Sequence, residues 1–504
     1  MTRWLLFLSL FLTGGIASLA LADDAPVTLI QLNDWYDIFP VRVTQNRASI
    51  LKGGAAYVAT RVRQQRILGS TLLLHAGDMF FPSLLSGRLK HRGSQMVEAL
   101  NLLAVDLATF GNHEFDEGCQ VFAERIRQSR FPWVSANVDI PTTANIPAGQ
   151  VTATRVLTAG GMRLGFFGLT VEIPPVAGCQ GESIQFRPPL PAAQAAVAEL
   201  RALGVDRVIA LTHLRLDEDQ ALARQIPDID VIVGGHDHEV IRVQEGRTLI
   251  SKAGEDAVGL AFIRLLPECH DWRWEPVDPA VLTPAPDLLE WLAPYARELE
   301  PYQRVAGETR VALDAQESTV RRAESNLGNW IVDALRTTMR ADVGIFNGGG
   351  IRDDRVILPG VITLGDLYRL LPYANRMVAR TVSGEQIRAA LENGVSHVEL
   401  KSGRFPQVSG LSFRYDPERP RGQRLLETKI GGQALDLAGH YRLATTEYLA
   451  KNGRNDGYVT IFAGEPGEWQ SGGDLNEALL ALLSQGPIAP ALEGRIQAVT
   501  SSAR

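Results

Sequence analysis

The sequence predicts a layered α/β protein followed by a second unit, and three observations favour this class. Hydrophobic residues make up 45% and charged residues 21% of the 504 residues, as in ordinary globular proteins. Between residues 27 and 233, short apolar runs alternate with helical patterns, which is typical of β-α-β units. Prolines at 276, 279, 284 and 286 then interrupt this pattern, so we place a domain boundary there.

The predicted elements follow one another regularly along the chain. In the first unit, the predicted strands are Val27–Leu32, Thr71–His75, Leu107–Phe110, Trp133–Ala136, Leu164–Gly168, Val208–Leu211 and Val231–Val233. The predicted helices of that unit are Ala55–Ile67, Ser94–Leu103 and Ala192–Leu203. A capped helix over Asp287–Glu300 follows the boundary, and the second unit has predicted helices at Glu324–Met339, Leu364–Leu370 and Gly384–Asn393.

The first residues predict a secretory signal peptide. Arg3 precedes an apolar run over Trp4–Leu12, and small residues lead to Ala20-Leu21-Ala22, an A-x-A cleavage pattern before Asp23. A membrane anchor is the alternative, but the apolar run is short and is followed by two glycines. We therefore expect residues 1–22 to be cleaved, and the mature chain to be exported, periplasmic or extracellular, without membrane attachment.

The charge and cysteine content argue against a nucleic-acid-binding protein and against a disulfide-based scaffold. Lys and Arg number 50 and Asp and Glu 57, a net charge of -7, so we expect no nucleic-acid partner. The three cysteines, Cys119, Cys179 and Cys269, allow at most one internal disulfide. The fold therefore cannot depend on a cysteine framework. Nothing in the sequence indicates an oligomeric state.

Polar residues that can bind metals follow the predicted strands at their carboxyl ends, the edge where α/β sheets bind ligands. Carboxylate, imidazole and amide donors together suit Mn, Zn, Co or Fe. A set this large fits two divalent ions about 3.5–4 Å apart that share a carboxylate, an arrangement that promotes phosphoryl hydrolysis. Taken singly, each residue is more simply explained as a core or surface polar group, so the set carries the argument. The set is Asp34, Asp78, Asn112, His113, His213, His236 and His238.

The motifs around these residues resemble those of the calcineurin-like metallophosphoesterases, and the wider chain resembles the secreted 5′-nucleotidase family. The first unit carries Asn-Asp at 33–34, Gly-Asp at 77–78, GNHEFDEG at 111–118, His213 and GHDH at 235–238. The second unit carries NGGGIR at 347–352, LPYAN at 371–375, FPQVSG at 405–410 and DGY at 456–458. The resemblance covers nearly the whole mature chain. It implies a layered α/β/β/α catalytic domain over residues 23–285, a linker helix over 286–304 and a smaller α+β substrate-binding domain over 305–504.

The resemblance also implies how the ligands divide between the two metal ions. Asp78 would bridge both ions. The other ligands would be Asp34 and His238 for the first ion, and Asn112, His213 and His236 for the second. His113 and Asp116 resemble the family's catalytic dyad, in which the histidine protonates the leaving oxygen and the aspartate orients its ring.

The second unit is expected to recognise the substrate. Arg352 follows three glycines and is the expected phosphate ligand, because its guanidinium can bind two oxygens at once. By resemblance, Phe405 and Tyr448 would sandwich a nucleobase, and Asp456 would hold the sugar hydroxyls or the base. Asn375 in the LPYAN motif joins this substrate-binding set.

The sequence departs from the family pattern at two places. The family has histidine two residues after the first aspartate, where this chain has Tyr36, followed by Asp37 as a possible substitute ligand. His238 stands where many members have glutamine and could compensate for Tyr36. The loop from Tyr448 to Asp456 is two residues longer than the family pattern and carries two additional positively charged side chains. Its contacts with the base and sugar are therefore expected to differ from those of the family.

The resemblance implies an exported dinuclear-metal phosphohydrolase that releases phosphate from nucleoside 5′-monophosphates, with a metal-bound hydroxide attacking phosphorus. The same machinery acting on cyclic nucleotides, nucleotide diphosphate sugars or a thiosulfate ester is an alternative. A non-enzyme alternative is a periplasmic binding protein on a degenerate scaffold. The intact pair of His113 and Asp116 favours an enzyme, because a binding protein needs no acid for a leaving group.

Overall fold

The computed structural model describes residues 26–266, 269–373, 375–453, 456–463 and 468–499. The predicted signal peptide therefore lies outside the described residues. Ala374 of the LPYAN motif and residues 454–455 of the predicted substrate loop also lie outside the described residues.

Two large sheets form the first unit, and in both the central strands run parallel. Within the described residues, the first sheet has the strand order His270–Pro276, Gly259–Leu265, Val27–Leu32, Thr71–Ala76, Leu107–Thr109, Trp133–Val134 and Val151–Thr152. The second has the order Val240–Glu245, Thr248–Ala253, Val231–Gly234, Arg207–His213, Met162–Thr170 and Thr154–Ala159.

The two sheets pack face to face, with helices on both outer sides. Leu29 and Leu74 of the first sheet share one buried cluster with Phe166 and Ile209 of the second. The outer face of the first sheet packs on the helices Ala55–Leu68, Ser94–Leu102 and Gly118–Gln128. The outer face of the second sheet packs on Pro189–Ala202 and Leu216–Gln225. This order of layers is α/β/β/α, which confirms the predicted fold class.

The second unit is built around a smaller sheet that also has helices on both faces. Within the described residues its order is Pro406–Ser409, Val343–Asn347, His440–Thr446, Arg376–Ser383 and Gln470–Asp474. Side chains alternate along its strands, so that Phe346 packs with the helices Asn326–Thr338 and Leu475–Leu483 on one face. On the other face, Val343 and Ile345 pack with the helix Gly384–Val395. A further sheet has the order Gln433–Ala434, Leu425–Ile430, Leu411–Tyr415 and Ile496–Ala498.

Shorter elements connect these layers. The remaining α-helices are Pro286–Leu299 between the units, and Glu317–Val320, Leu364–Leu370 and Tyr458–Phe462 in the second unit. The remaining strands are Val41–Gln45, Ala48–Lys52, Val138–Asp139, Val176–Cys179, Glu182–Phe186, Val305–Thr309, Leu313–Asp314, Val356–Ile357 and Gly360–Thr363. Within the part of the chain that the structure describes, no helix combines the length and apolar character needed to cross a membrane.

A disulfide joins Cys119 to Cys179, and Cys269 is free and exposed. This agrees with the predicted limit of one internal bond. The bond ties the helix Gly118–Gln128 to the strand Val176–Cys179.

The second unit lies against the first near the carboxyl ends of the first sheet's strands. Leu84 packs with Leu364 and Tyr368, and the guanidinium of Arg88 lies 4.7 Å from the ring centre of Tyr368. The helix Pro286–Leu299 packs on the core of the first unit. The exact domain limits at 285 and 305 stay a prediction.

Candidate metal centre and active site

The register of the strands brings the predicted ligands together. Leu32 pairs with His75 in parallel strands, so the segments that follow both strands leave the sheet side by side. The amide of Asp34 donates to the carbonyl of Gly77 at 3.0 Å, which fixes Asp34 beside Asp78. The ligand-bearing turns are also strained, because non-glycine residues rarely adopt positive φ. The residues concerned, with their φ angles, are Asp34 at 48°, Asp78 at 59°, His236 at 80° and His238 at 55°.

Three of the predicted ligands form a compact buried cluster. One ligand atom each from Asp34, Asp78 and His213 lie within 4.8 Å of one another. His213 Nε2 is 3.1 Å from Asp78 Oδ2 and 3.8 Å from Asp34 Oδ1. His213 Nδ1 donates to the carbonyl of Ala76 at 2.9 Å, so its other nitrogen faces the two carboxylates.

The other predicted ligands border the same cluster. His238 Nε2 lies 3.2 Å from Asp34 Oδ1, and the ring of His236 lies 5.1 Å from that of His213. The amide of His236 donates to Asp34 Oδ2 at 2.9 Å. Asn112 is next to His113, whose amide donates to Asp78 Oδ1 at 2.8 Å. The structure therefore brings all six predicted ligands to one place.

The electrostatics of this cluster fit a cation. Burial works against the charge of Asp34, but His213 and His238 outweigh it and lower the pKa of Asp34 to about 2. Burial would also lower the pKa of His213, but the carboxylates of Asp78 and Asp34 raise it to about 9. Among the described residues, the buried atom Asn112 Oδ1 has no hydrogen-bond partner. Buried carboxylates, an unpartnered amide oxygen and imidazoles form a donor set suited to divalent metal ions.

Glu114 holds the two central turns together, and sequence reasoning assigned it no role. Its buried carboxylate accepts hydrogen bonds from the backbone amides of Asp78, Met79, Phe80 and Gly111. Burial and the charge of Asp78 raise the pKa of Glu114 to about 7. The sequence contained one indication of this role, since Glu114 directly follows His113 in the GNHEFD motif.

The predicted dyad forms at the rim of the cluster. His113 Nδ1 lies 2.7 Å from Asp116 Oδ2, within a short 3-10 turn over His113–Phe115 that brings residues three apart together. The other ring nitrogen, Nε2, lies 3.9 Å from Asp78 Oδ2. Burial opposes the charged ring, but Asp116 and Asp78 prevail and raise the pKa of His113. A histidine held in this way can carry the proton that a leaving group needs.

Tyr36 points at the cluster, whereas Asp37 does not. The Tyr36 hydroxyl lies 3.3 Å from Asp34 Oδ1, 3.2 Å from Asp78 Oδ2 and 3.3 Å from His238 Nε2. Burial and the carboxylates of Asp78 and Asp34 raise the pKa of Tyr36 well above its usual value, so the phenol is neutral here. Asp37 instead faces Arg369 of the second unit at 3.4 Å. Asp37 also lines the cleft that contains Tyr36 and His238, and its role as a substitute ligand stays a prediction.

Arg352 of the second unit lies near Tyr36 and His113. It lines the same cleft as Tyr36 and His238, together with Glu317 of the second unit. Its charge acts on both Tyr36 and His113. The structure therefore places this predicted phosphate ligand next to the predicted metal site and dyad.

The other predicted substrate residues differ in how far they are exposed to solvent. Tyr448 is 41% exposed, and Asp456 accepts a hydrogen bond from the amide of Asn347 at 3.1 Å. Asn375 is buried, and its side-chain amide nitrogen has no partner among the described residues. Phe405 is 0% exposed, because it precedes the edge strand Pro406–Ser409 and packs into the core. In this arrangement the ring of Phe405 is not accessible, and the sandwich of a base between Phe405 and Tyr448 stays a prediction.

The fold and the site define a metallophosphoesterase, and comparison with known proteins identifies the family. Residues 27–240 match the family described as calcineurin-like phosphoesterase, and residues 305–464 match the 5′-nucleotidase C-terminal domain. The solved 5′-nucleotidase precursor from Thermus thermophilus is 31% identical with a TM-score of 0.86, over 94% of this chain and 99% of that one. The chain belongs to the 5′-nucleotidase family.

Two further relatives and one protein of the same fold are similar to this chain. Human 5′-nucleotidase is 28% identical over 90% of this chain and 87% of its own length. The trifunctional nucleotide phosphoesterase YfkN of Bacillus subtilis is 31% identical over 88% of this chain, which spans only 34% of that longer protein. The sulfate thiohydrolase SoxB of Thermus thermophilus, 21% identical with a TM-score of 0.75 over 94% of this chain and 96% of its own, shares the fold.

Family membership establishes the class of activity. The protein is a metal-dependent phosphoester hydrolase, and its family uses two divalent metal ions. The donor set described above fits that requirement.

Proposed function

We propose that this chain releases phosphate from nucleoside 5′-monophosphates after export from the cytoplasm. The observation that carries the proposal is the proximity of three parts. The buried cluster of Asp34, Asp78 and His213 adjoins His113, which pairs with Asp116. Arg352 lines a cleft together with Tyr36 and His238, and its charge acts on His113. A cation site, an acid for the leaving group and a guanidinium for the phosphate are the parts that phosphomonoester hydrolysis needs.

The proposed ligand assignment follows the sequence. Asp78 lies centrally, with contacts to His213 and Tyr36 and to the backbone of His113, which supports a bridging role. Asp34 and His238 would serve one ion, and Asn112, His213 and His236 the other. When bound, divalent cations polarise the phosphate oxygens and activate water as a nucleophile.

The chain's own groups would then perform the remaining work. Arg352 would bind two oxygens of the phosphate and hold it against the cluster. His113 would give a proton from Nε2 to the departing 5′ oxygen, since its Nδ1 is engaged by Asp116. Asp116 would keep the ring in the orientation and tautomer that this transfer requires.

Recognition of the nucleoside would depend on Tyr448 and Asp456. The exposed part of the Tyr448 ring offers one stacking face for a base, which is worth roughly 1–3 kcal/mol. Asp456 is half-buried beside Asn347 and offers an acceptor for sugar hydroxyls. The segment between them includes residues 454–455, which lie outside the described residues.

Export is supported by two features. The first 22 residues carry the signal-peptide pattern described above. The bond between Cys119 and Cys179 is of a kind that persists in oxidising compartments. Sequencing the N-terminus of the secreted product tests this part, and the expected first residue is Asp23.

A phosphate-release screen tests the proposed substrate. Metal-free protein is loaded in turn with Mn, Zn, Co and Mg, and offered nucleoside 5′-monophosphates, diphosphates, cyclic nucleotides, a nucleotide diphosphate sugar and a thiosulfate ester. We expect the highest kcat/KM for a 5′-monophosphate and loss of activity with chelator. A higher kcat/KM for any other class would overturn the proposed substrate while leaving the hydrolase class intact.

A further inference from the structure

Lys252 is a fully buried cation in the second sheet of the first unit. It lies in the strand Thr248–Ala253, and its side chain is 0% exposed. Lysine is almost never fully buried unless it is paired, because removing an ammonium from water is costly. Its partners therefore indicate what holds it there.

The ammonium uses all three of its donors. It donates to the carbonyl of Leu214 at 2.6 Å, to the carbonyl of Gly235 at 2.8 Å and to Asp237 Oδ2 at 2.6 Å. A second carboxylate, Asp219, lies 2.9 Å away and is itself 0% exposed. Asp219 Oδ1 accepts a hydrogen bond from the hydroxyl of Thr212 at 2.7 Å.

The three acceptors belong to the two turns that carry the candidate histidine ligands. Leu214 directly follows His213, and Gly235 directly precedes His236. Asp237 lies between His236 and His238. One ammonium thus ties together the turns after the neighbouring parallel strands Arg207–His213 and Val231–Gly234.

The second of these turns needs such an anchor. Both His236 and His238 have positive φ angles, a conformation that costs of the order of 1–3 kcal/mol per residue and persists only when its surroundings fix it. Packing under the turn is also tight, since a Cβ atom on Gly234 would lie 3.1 Å from Lys252 Cε. Between these two strained residues, the turn is tied to the sheet through Asp237 and Lys252.

We propose that Lys252 is a positioning residue that fixes His213, His236 and His238 for metal binding without touching the substrate. The inference rests on the proposed assignment of these histidines as ligands, and it is independent of which nucleotide is hydrolysed. Groups that orient metal ligands typically change metal affinity about 10–100-fold when they are lost.

The test removes the ammonium without leaving a buried carboxylate unpaired. The double variant Lys252→Met/Asp219→Asn lacks the three hydrogen bonds and also the charge of the buried partner. The matched control is Asp219→Asn alone, in which Lys252 keeps its three acceptors and Thr212 keeps its own. The full-length protein is loaded with Mn²⁺, and bound metal per chain is measured as a chelator is added, with circular dichroism verifying the fold.

The expected result is that the double variant loses Mn²⁺ at about 10–100-fold lower chelator concentration, while Asp219→Asn stays near the wild type. A folded double variant that holds Mn²⁺ as the control does would overturn the inference. A third variant, His236→Ala, distinguishes failure of the positioning role of Lys252 from an error in the assignment of His236 as a ligand. If His236→Ala also keeps wild-type affinity, the assignment of His236 as a ligand fails, and with it this inference.

Should the double variant not fold, a second pair decides the matter. Asp237→Ala removes one acceptor from the strained turn, and its side chain is 25% exposed, so the change leaves no buried cavity of note. Asp217→Ala is the control, because Asp217 follows His213 closely but forms its ion pair with Arg215 at the surface. The inference requires weaker Mn²⁺ binding in Asp237→Ala than in Asp217→Ala, and equal binding in the two would overturn it.

Discussion

His113 and Asp116 carry the most direct residue-scale prediction. Replacing His113 with alanine should lower kcat by about 10²–10⁴-fold, because an acid for the leaving group is lost. Metal content should not change, since His113 Nε2 is 3.9 Å from Asp78 and its Nδ1 is engaged by Asp116. Steady-state kinetics with metal analysis checks both points.

The control for this prediction is His91→Ala, because His91 pairs with Glu298 on the surface and should not affect kcat. An unchanged kcat in His113→Ala would remove His113 from the mechanism.

Tyr36 is the residue that departs most from the family pattern, and its neutral phenol is a poor ligand for a divalent ion. Its hydroxyl lies within 3.2–3.3 Å of three candidate ligand atoms, so it stands beside the first ion's expected place. Tyr36→Phe should keep both metal ions and most of the activity. Tyr36→His should increase resistance to dilute chelator, since it adds an imidazole donor.

Two observations would show that Tyr36 is instead a direct ligand. One is loss of one metal ion per chain in Tyr36→Phe. The other is a purple charge-transfer band in the wild type that disappears in this variant, as expected for a phenolate on ferric iron.

At the scale of elements, Glu114 joins the turn after the strand Thr71–Ala76 to the turn after Leu107–Thr109. Glu114→Gln replaces one acceptor oxygen by a donor that faces backbone amides. A buried backbone amide left without an acceptor costs about 1–3 kcal/mol, so the free energy of unfolding should fall by about that amount. Chemical denaturation measures it.

Metal retention should fall in the same variant, because Glu114 holds the amide of Asp78. Glu117→Gln is the control, since Glu117 lies nearby on the surface, 3.6 Å from Arg92. Equal stability of the two variants would contradict the role given to Glu114.

The elements also show how far sequence patterns reach. The strand Val27–Leu32 and the helix Leu364–Leu370 have the predicted limits. The strand is a mostly apolar run, and the helix begins at a capping box formed by Thr363 and Asp366. The helix Leu216–Gln225 was not predicted, since its sequence is mostly polar and buries few residues. Strand-end motifs predicted where the polar groups gather, because parallel strands bring their carboxyl ends to one edge.

Other features depend on tertiary contacts that no local pattern records. The burial of Phe405 and the pairing of Asp37 with Arg369 arise from the packing of distant segments. Lys252 gave only the weak signal of a lysine among apolar strand residues.

At the scale of the whole molecule, the second unit contributes Arg352 to a cleft that Tyr36 and His238 of the first unit also line. Arg352→Ala should lower kcat/KM for a nucleoside 5′-monophosphate by about 10–100-fold, the value of a lost charged hydrogen-bond pair. Metal content should be unchanged, because the Arg352 guanidinium is positively charged and has no lone pair that could coordinate a metal ion.

The control is Arg388→Ala, an exposed position on the helix Gly384–Val395 of the same unit. Equal kcat/KM in the two variants would mean that the phosphate is held by other groups.

The central claim is that the cluster around Asp78 holds two divalent ions on which phosphate release depends. Metal content and phosphate release from a nucleoside 5′-monophosphate, measured side by side in wild type and Asp78→Ala, test it most directly. The account predicts two ions per chain and chelator-sensitive release in the wild type, and loss of both ions and of activity in the variant. Two ions per chain retained in Asp78→Ala, or undiminished release without them, would contradict it.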